Sequence, residues 1–353
     1  MPHANPIHKR LMSKVVFDNI IYSLQRFGGI SSLWHQIVGH VSSLPQFDVH
    51  GLDYRAANQN VEYCQLPQLT HRQWPTAVER YLDADYLIDG PHTFHSSYYR
   101  LSTHPQARCV TTVHDFTYES HIGGLRCAIH SAQKYRAIRR SAVVVCVSQY
   151  TRDELLRRLP DVSASKVEIV YNGLNPAYNQ HFEPLPELAD CILFVGSRAL
   201  YKRFDFAVEA CVAAGMRLCI AGSPLTKAER QLLDRRLSGR YLVEISPDSS
   251  RLGRLYTSAH CLLYPSESEG FGLPIIEAQA CGCPVIAYAA TSVPEVIGNT
   301  PTLLNNLSIN DFRTALNLVD NAATRADIIA AGRANAARFP IAATTAAYAS
   351  LLG

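Results

Sequence analysis

The strongest constraint on the fold of this chain is a rhythm that stops once and then starts again. Short β-branched apolar runs alternate with longer segments of helical spacing. In the first half, strands read at 14–18 (KVVFD), 107–115 (ARCVTTVHD), 141–148 (SAVVVCVS) and 166–172 (KVEIVYN). Helices read at 29–44, around 125–140 and at 148–159, where Ser148 or Thr151 supplies a cap. The segment 172–190 (NGLNPAYNQHFEPLPELAD) is rich in Pro and Asn, has no periodicity and reads as a linker. The rhythm resumes with strands at 191–197, 217–223, 241–246, 260–266 and 283–288. Strands alternating with helices specify α/β domains with parallel sheets. At 353 residues the chain exceeds what one core usually organises. Two similar domains joined by one linker are therefore expected, with a ligand in the cleft between them near the carboxyl ends of the strands. The expected boundaries are 1–180 and 181–340, followed by an Ala-rich helix near 341–352 that the sequence leaves free to pack on either domain, or to cross back to the first.

Composition narrows the function classes. A net charge of +3 is too small to imply a nucleic acid partner. The basic excess lies in residues 1–180, with 18 Lys and Arg against 14 Asp and Glu, partly in the run Gln133–Arg140 (QKYRAIRR). That run reads as a solvated helix face or as a surface for anionic lipid head groups, and the sequence leaves both open. No apolar stretch has the length of a membrane span, and the first residues have no signal-peptide core, so a cytoplasmic location is expected. Ten cysteines, mostly in apolar runs and without a CxxC pair, read as small buried hydrophobes rather than metal ligands.

Four motifs carry chemistry. FVGSRALYKRFD (194–205) ends a buried strand at Gly196 and sets Ser197, Arg198 and Lys202 in a tight loop before a helix near Phe204, an arrangement suited to a diphosphate. It is neither a GxGxxG fingerprint nor a Walker A loop, and two plain surface cations remain the alternative. RFGGIS (26–31) places Gly28 and Gly29 where a helix opens, as a tight turn or as an anion-facing one. His114 and Asp115 close a β-branched strand, where functional residues gather, and a hydrogen-bonded structural histidine reads equally well. The last motif is SESEGFGLPIIEAQACGCPVIA (266–287), which reads as loop, helix and strand, with Pro274 at the first helical position and Gly282 just past the end. Its Glu269 lies in the loop among free backbone donors, and Glu277 lies in the helix. The pair suits a polyhydroxyl ligand gripped at two ends, and the alternative for Glu277 is stabilisation by the helix dipole.

Taken together, these motifs resemble the retaining nucleotide-sugar glycosyltransferases of family four, whose fold is GT-B: two Rossmann-like domains facing across a cleft. The resemblance covers nearly the whole chain, is most specific at Glu269-GFGLPII-Glu277, and is greatest to bacterial mannosyltransferases of lipopolysaccharide O-chains. It implies transfer of a hexose, mannose or a related deoxyhexose, from a GDP-sugar to a saccharide or lipid-linked saccharide, by a soluble enzyme or one peripheral on the inner membrane. Arg198 and Lys202 would bind the diphosphate as leaving group, and Glu277 the ribose. Glu269 would take the sugar hydroxyls, with Gly270 and the amides of Phe271, Gly272 and Leu273 around sugar and phosphate. Gly28 and Gly29 would face the diphosphate, with Gly196 and Ser197 beside it, and His114 would contact the transferred sugar. No metal or other cofactor is implied, and retention would follow front-face attack.

Two departures concern the substrate. Ser32 stands where close relatives of that family often carry Arg, and AGSPL (221–225) stands where many carry a run of glycines. The competing readings are a UDP-sugar enzyme of the same fold, an inactive sugar-nucleotide-binding relative, a phosphorylase, a 2-epimerase and an NAD-dependent dehydrogenase. Acceptor choice is assigned to first-domain loops such as 53–75 and 90–104, which the sequence does not decode.

Overall fold

A computed structural model describes residues 12–24, 28–54, 66–72 and 74–353. Arg26 and Phe27 of the glycine motif, and residues 55–65 and 73 of the first acceptor loop, lie outside the described residues.

The chain forms two parallel six-stranded sheets. The first contains β1 (Ser13–Asp18), β2 (Phe47–Leu52), β3 (His92–Ser96), β4 (Ala107–Val113), β5 (Val143–Cys146) and β6 (Val167–Ile169), in the order β2-β1-β3-β4-β5-β6. The second contains β7 (Cys191–Val195), β8 (Arg217–Gly222), β9 (Tyr241–Ile245), β10 (Cys261–Tyr264), β11 (Val285–Tyr288) and β12 (Leu303–Leu304), in the order β12-β11-β10-β7-β8-β9. The central strands are buried on both faces, which is why they read as continuous apolar runs. Nine of the strands fall on stretches that the sequence marks, β1 starting one residue earlier. The other three, β2 (FDVHGL), β3 (HTFHS) and the two-residue β12, lack such a run.

The strand order positions the site. From β7 the second sheet grows one way through β8 and β9, and the other way through β10, β11 and β12. The crossovers therefore leave opposite sides at the β7–β10 boundary, and a crevice opens at the carboxyl ends of that pair. The two loops that bear Arg198, Lys202 and Glu269 follow β7 and β10. In the first sheet the corresponding boundary lies between β1 and β3, so the Gly28–Gly29 turn faces the second domain.

The segment 172–190 is a packed connection rather than a loose one. It contains 3-10 turns at Pro176–Asn179 and Pro186–Leu188, and Tyr178, Phe182, Leu185 and Leu188 join the second domain's core. The terminal helix Ile341–Leu352 packs on the first domain, where Tyr348, Ala349 and Leu352 share a core with Phe17, Trp34 and Val38. Its close approach is possible at Gly173, where a Cβ would lie 2.4 Å from the Ile341 Cα.

Candidate functional site at the domain cleft

Lys202 ends a 3-10 turn, Leu200–Lys202, that follows β7. Its ammonium pairs with the Glu269 carboxylate of the loop after β10. The loops are also joined by the Glu267 amide, which donates to the Tyr201 carbonyl at 2.7 Å, and by an Arg203–Glu267 ion pair at 2.6 Å. One cation and one acid from different loops are thus fixed at the same crevice.

Arg198 is held more rigidly. Its side chain is 3% exposed, Nε donates to Glu229 at 2.7 Å, and Nη2 donates to the Pro224 carbonyl at 2.7 Å. Nη1 is buried without a protein partner, beside Gly222 and Gly196 at the strand ends. An unmatched guanidinium nitrogen is costly in a protein interior, and an anionic oxygen would satisfy it. Ser197 is exposed beside it.

The helix Leu273–Ala280 starts one residue before the position marked from sequence, so Pro274 occupies its second position. The first-turn amides have no intrahelical acceptor, so proline is tolerated at either place. Glu277 lies one turn in, where it accepts a 2.9 Å hydrogen bond from the Tyr256 hydroxyl. Burial pushes the Glu277 carboxyl up to about 7, against the pull of that hydrogen bond. Tyr256 is fully buried on the helix Ser249–Ser258, with Tyr178 edge-on to it at 6.0 Å. Phe271 is 3% exposed and packs edge-on to Phe339, so its side chain anchors the loop while its backbone borders the crevice.

The first domain closes over this loop. Gly270 meets the His114 carbonyl, and its own carbonyl accepts from the hydroxyls of Ser148 at 2.7 Å and Thr151 at 3.2 Å. Ser148 also caps the helix Gln149–Arg158, as its sequence suggests. The two free amides at that helix start, Gln149 and Tyr150, donate to Glu295 of the second domain at 2.8 and 3.2 Å, and Tyr171 donates to it at 2.7 Å. Thr117 meets Ser268 at 3.1 Å. Gly29, at the start of the helix Gly29–Ser43, faces Leu273 so closely that a Cβ there would be 2.7 Å from its Cδ1. The turn Gly28–Gly29 and the N-terminus of the Glu277 helix therefore oppose one another across the cleft.

His114 stands at this seam, beside Ser96, Ser97, Thr112 and Tyr348. Burial lowers its pKa to about 4, with Asp115 acting against the shift and Lys134 adding to it, so its imidazole is neutral at physiological pH. Ser32, at the position of a frequent arginine, receives a 3.4 Å hydrogen bond from Asn175.

The structure brings Arg198, Lys202, Glu269, Gly270, Gly272 and Glu277 to one crevice, with Gly29 and His114 on its opposite wall. Four pairings escaped the sequence reading: Glu229 with Arg198, Tyr256 with Glu277, Ser148 with Gly270, and Glu295 with the Gln149 and Tyr150 amides. Glu229, Tyr256 and Ser148 each hold a site residue from a distant part of the chain, Glu295 holds the start of the Gln149–Arg158 helix, and no local spacing encodes such pairings.

Two family profiles match in succession. "Glycosyltransferase Family 4" covers residues 51–178 and "Glycosyl transferases group 1" covers 179–335. The chain belongs to the family-four glycosyltransferases. Among curated relatives of this glycosyltransferase chain, the O-antigen chain mannosyltransferase B of Escherichia coli is 28% identical over 238 residues, 61% of this chain and 60% of that protein. A D-inositol 3-phosphate glycosyltransferase of Mycobacterium avium is 34% identical over 142 residues, 37% of this chain and 34% of that protein. The chain thus spans less than two thirds of the length of these relatives. Among solved structures, Anabaena HepE in complex with UDP and glucose superposes with a TM-score of 0.72 at 17% identity, over 96% of this chain and 99% of that one. That likeness fixes the GT-B fold.

Among the described residues no helix is long and apolar enough to cross a membrane. The basic run Gln133–Arg140 proves largely engaged. Lys134 is buried against Glu119 at 2.9 Å, Arg136 pairs with Asp83, and Arg139 pairs with Asp161 at 2.7 Å.

Proposed function

We propose that this glycosyltransferase moves a hexose, mannose or a related deoxyhexose, from a GDP-sugar to a saccharide or lipid-linked saccharide during surface polysaccharide synthesis. The observation that carries this reading is the convergence of Arg198, Lys202, Glu269 and Glu277 at the β7–β10 boundary. Arg198 Nη1 and Lys202 are the two cations for a diphosphate. They stabilise it as it leaves, as fixed donors aimed at developing charge, with no metal assigned to the step. Glu277 takes the ribose hydroxyls and Glu269 the sugar hydroxyls. His114, neutral, sits where it accepts from or donates to a sugar hydroxyl. Retention through front-face attack, with the leaving phosphate taking the acceptor proton, fits a crevice with no carboxylate assigned as nucleophile. The likeness to an O-antigen mannosyltransferase supports mannose. UDP in the HepE complex favours the second reading, a UDP-sugar donor.

Thermal shift with GDP, UDP and ADP, each with and without magnesium, tests the donor. Only a ligand of the folded state raises Tm. GDP is expected to raise it, equally with and without magnesium. A shift with UDP alone moves the assignment to the second reading. A shift with none of them sinks the donor site.

Glu277 gives the site a pH dependence. Its folded pKa, about 7, lies above the ordinary carboxyl value, so folded protein keeps a proton that unfolded chain has lost. The ligand-free protein should therefore lose stability as pH rises through that window and level off above it. Ribose hydroxyls favour the carboxylate, so nucleotide binding should strengthen up to about pH 7 and release a proton below it. Calorimetry in buffers of different ionisation enthalpy measures that proton. Tyr256→Phe should move the midpoint upward, because the tyrosine hydrogen bond favours the charged form. Binding that is flat from pH 5.5 to 8, a window of about one unit or more on each side of the titration, would remove Glu277 from the ribose site.

A further inference from the structure

Resting on the transferase reading, we propose that the acceptor is a saccharide chain lying along a track of aromatic side chains that runs from the donor loop over the first domain. The track starts at Tyr201, next to Lys202, whose ring lies 5.6 Å from His121 at the end of the helix Thr117–His121. Tyr118 lies three residues before His121 on that helix, so the two are neighbours on its surface. Tyr118 stacks on His130 at 4.2 Å, and His130 lies edge-on to Tyr98 at 6.0 Å. Arg80 then covers Tyr98 at 4.9 Å and Tyr81 at 5.2 Å. Tyr118 is 37% exposed and Tyr81 is 41% exposed, so the track opens to solvent at both residues.

Its polar atoms point to sugar rather than to acyl chains. Nine buried side-chain nitrogens and oxygens among the described residues have no protein partner, and four of them cluster here: Arg80 Nε, His130 Nδ1, Gln133 Oε1 and Glu119 Oε1. Buried polar groups are normally satisfied, so a cluster of unmatched ones marks a place for ordered water, through which a saccharide on the surface is hydrogen-bonded. Pyranose rings offer C–H faces to aromatic rings and hydroxyls at their edges, which matches alternating tyrosines and polar side chains. Ile122, Leu125 and Ile129 are exposed beside the track and form the apolar alternative.

α-Linked mannose oligomers of one to six units are the probe, titrated by calorimetry against the wild-type chain, Tyr118→Ala and Tyr81→Ala in the presence of GDP. Affinity is expected to rise with oligomer length. Tyr118→Ala should weaken every length by about tenfold, the scale of one aromatic contact, and Tyr81→Ala should remove the gain only for the longer oligomers. The GDP thermal shift should be unchanged in both variants, which shows that the fold and donor site survive. With that shift intact, three results overturn the track: length-independent binding, no saturable binding, or variants that bind like wild type. Vesicles of phosphatidylglycerol that bind wild type and lose it in Tyr118→Ala, with oligomer binding untouched, would make the patch a membrane face instead. A wild-type chain that shows no nucleotide shift fails the transferase reading, a separate outcome.

Discussion

Replacing Lys202 with alanine is expected to lower kcat/KM for the sugar nucleotide by about a hundredfold or more, the range seen when one fixed donor to a developing oxyanion is removed. Two effects add. The variant loses the ammonium proposed to face the diphosphate, and it strips Glu269 of its partner, leaving a carboxylate at the crevice that an anionic donor would enter. The second effect gives the prediction internal structure. Adding Glu269→Gln to Lys202→Ala removes the repulsion, so the double variant should recover part of the nucleotide affinity while kcat stays low. Steady-state kinetics and a nucleotide titration on wild type and the two variants separate these terms. Lys202→Ala within threefold of wild type in kcat/KM, about 0.7 kcal/mol, would mean that the lysine does no more than hold Glu269.

Much of this site was legible in the sequence because its central parts are local. Glu269 and Glu277 read correctly as a loop acid and a helix acid, since Pro274 and Gly282 punctuate the helix between them. Arg198 and Lys202 read correctly as strand-end cations because β7 is an unbroken apolar run. The strands β2 and β3 were not legible for the opposite reason. β3 is fully buried yet contains two histidines and a serine, and it is stabilised by partners far away in sequence. Ser96 donates to Asp18 at 2.7 Å, and Asp18 accepts from Arg100 at 3.0 Å, which also pairs with Glu79 at 2.6 Å. A polar core of that kind has no period to detect. The connection 172–190 misleads similarly: its apolar residues are spaced for irregular turns, and they are buried nonetheless. The interdomain pairings of Glu295 and of Ser148 are set by how the domains meet, which no local pattern contains.

Gly270→Ala tests that meeting of domains most severely. A Cβ at Gly270 would lie 1.5 Å from the His114 carbonyl oxygen and 2.6 Å from its carbon. Both are backbone atoms at the end of a central strand, so no rotamer change relieves the overlap. The loop must withdraw, and the hydroxyls of Ser148 and Thr151 then lose the carbonyl they share. Glu269 and Phe271 move with Gly270, so the Glu269 carboxylate leaves its place opposite Lys202. Because positioning errors of about 1 Å cost roughly a hundredfold in rate, Gly270→Ala is expected to lose activity on that scale or beyond. Each domain keeps its own core, so far-UV circular dichroism should change little. Ser148→Ala is the graded companion: it removes one hydrogen bond and a helix cap worth about 1 kcal/mol, and it should cost stability more than turnover. Gly270→Ala with near-normal kinetics would show that the two domains part at this seam during the reaction, and that the contact of His114 with Gly270 belongs to a resting state rather than to the arrangement in which sugar is transferred.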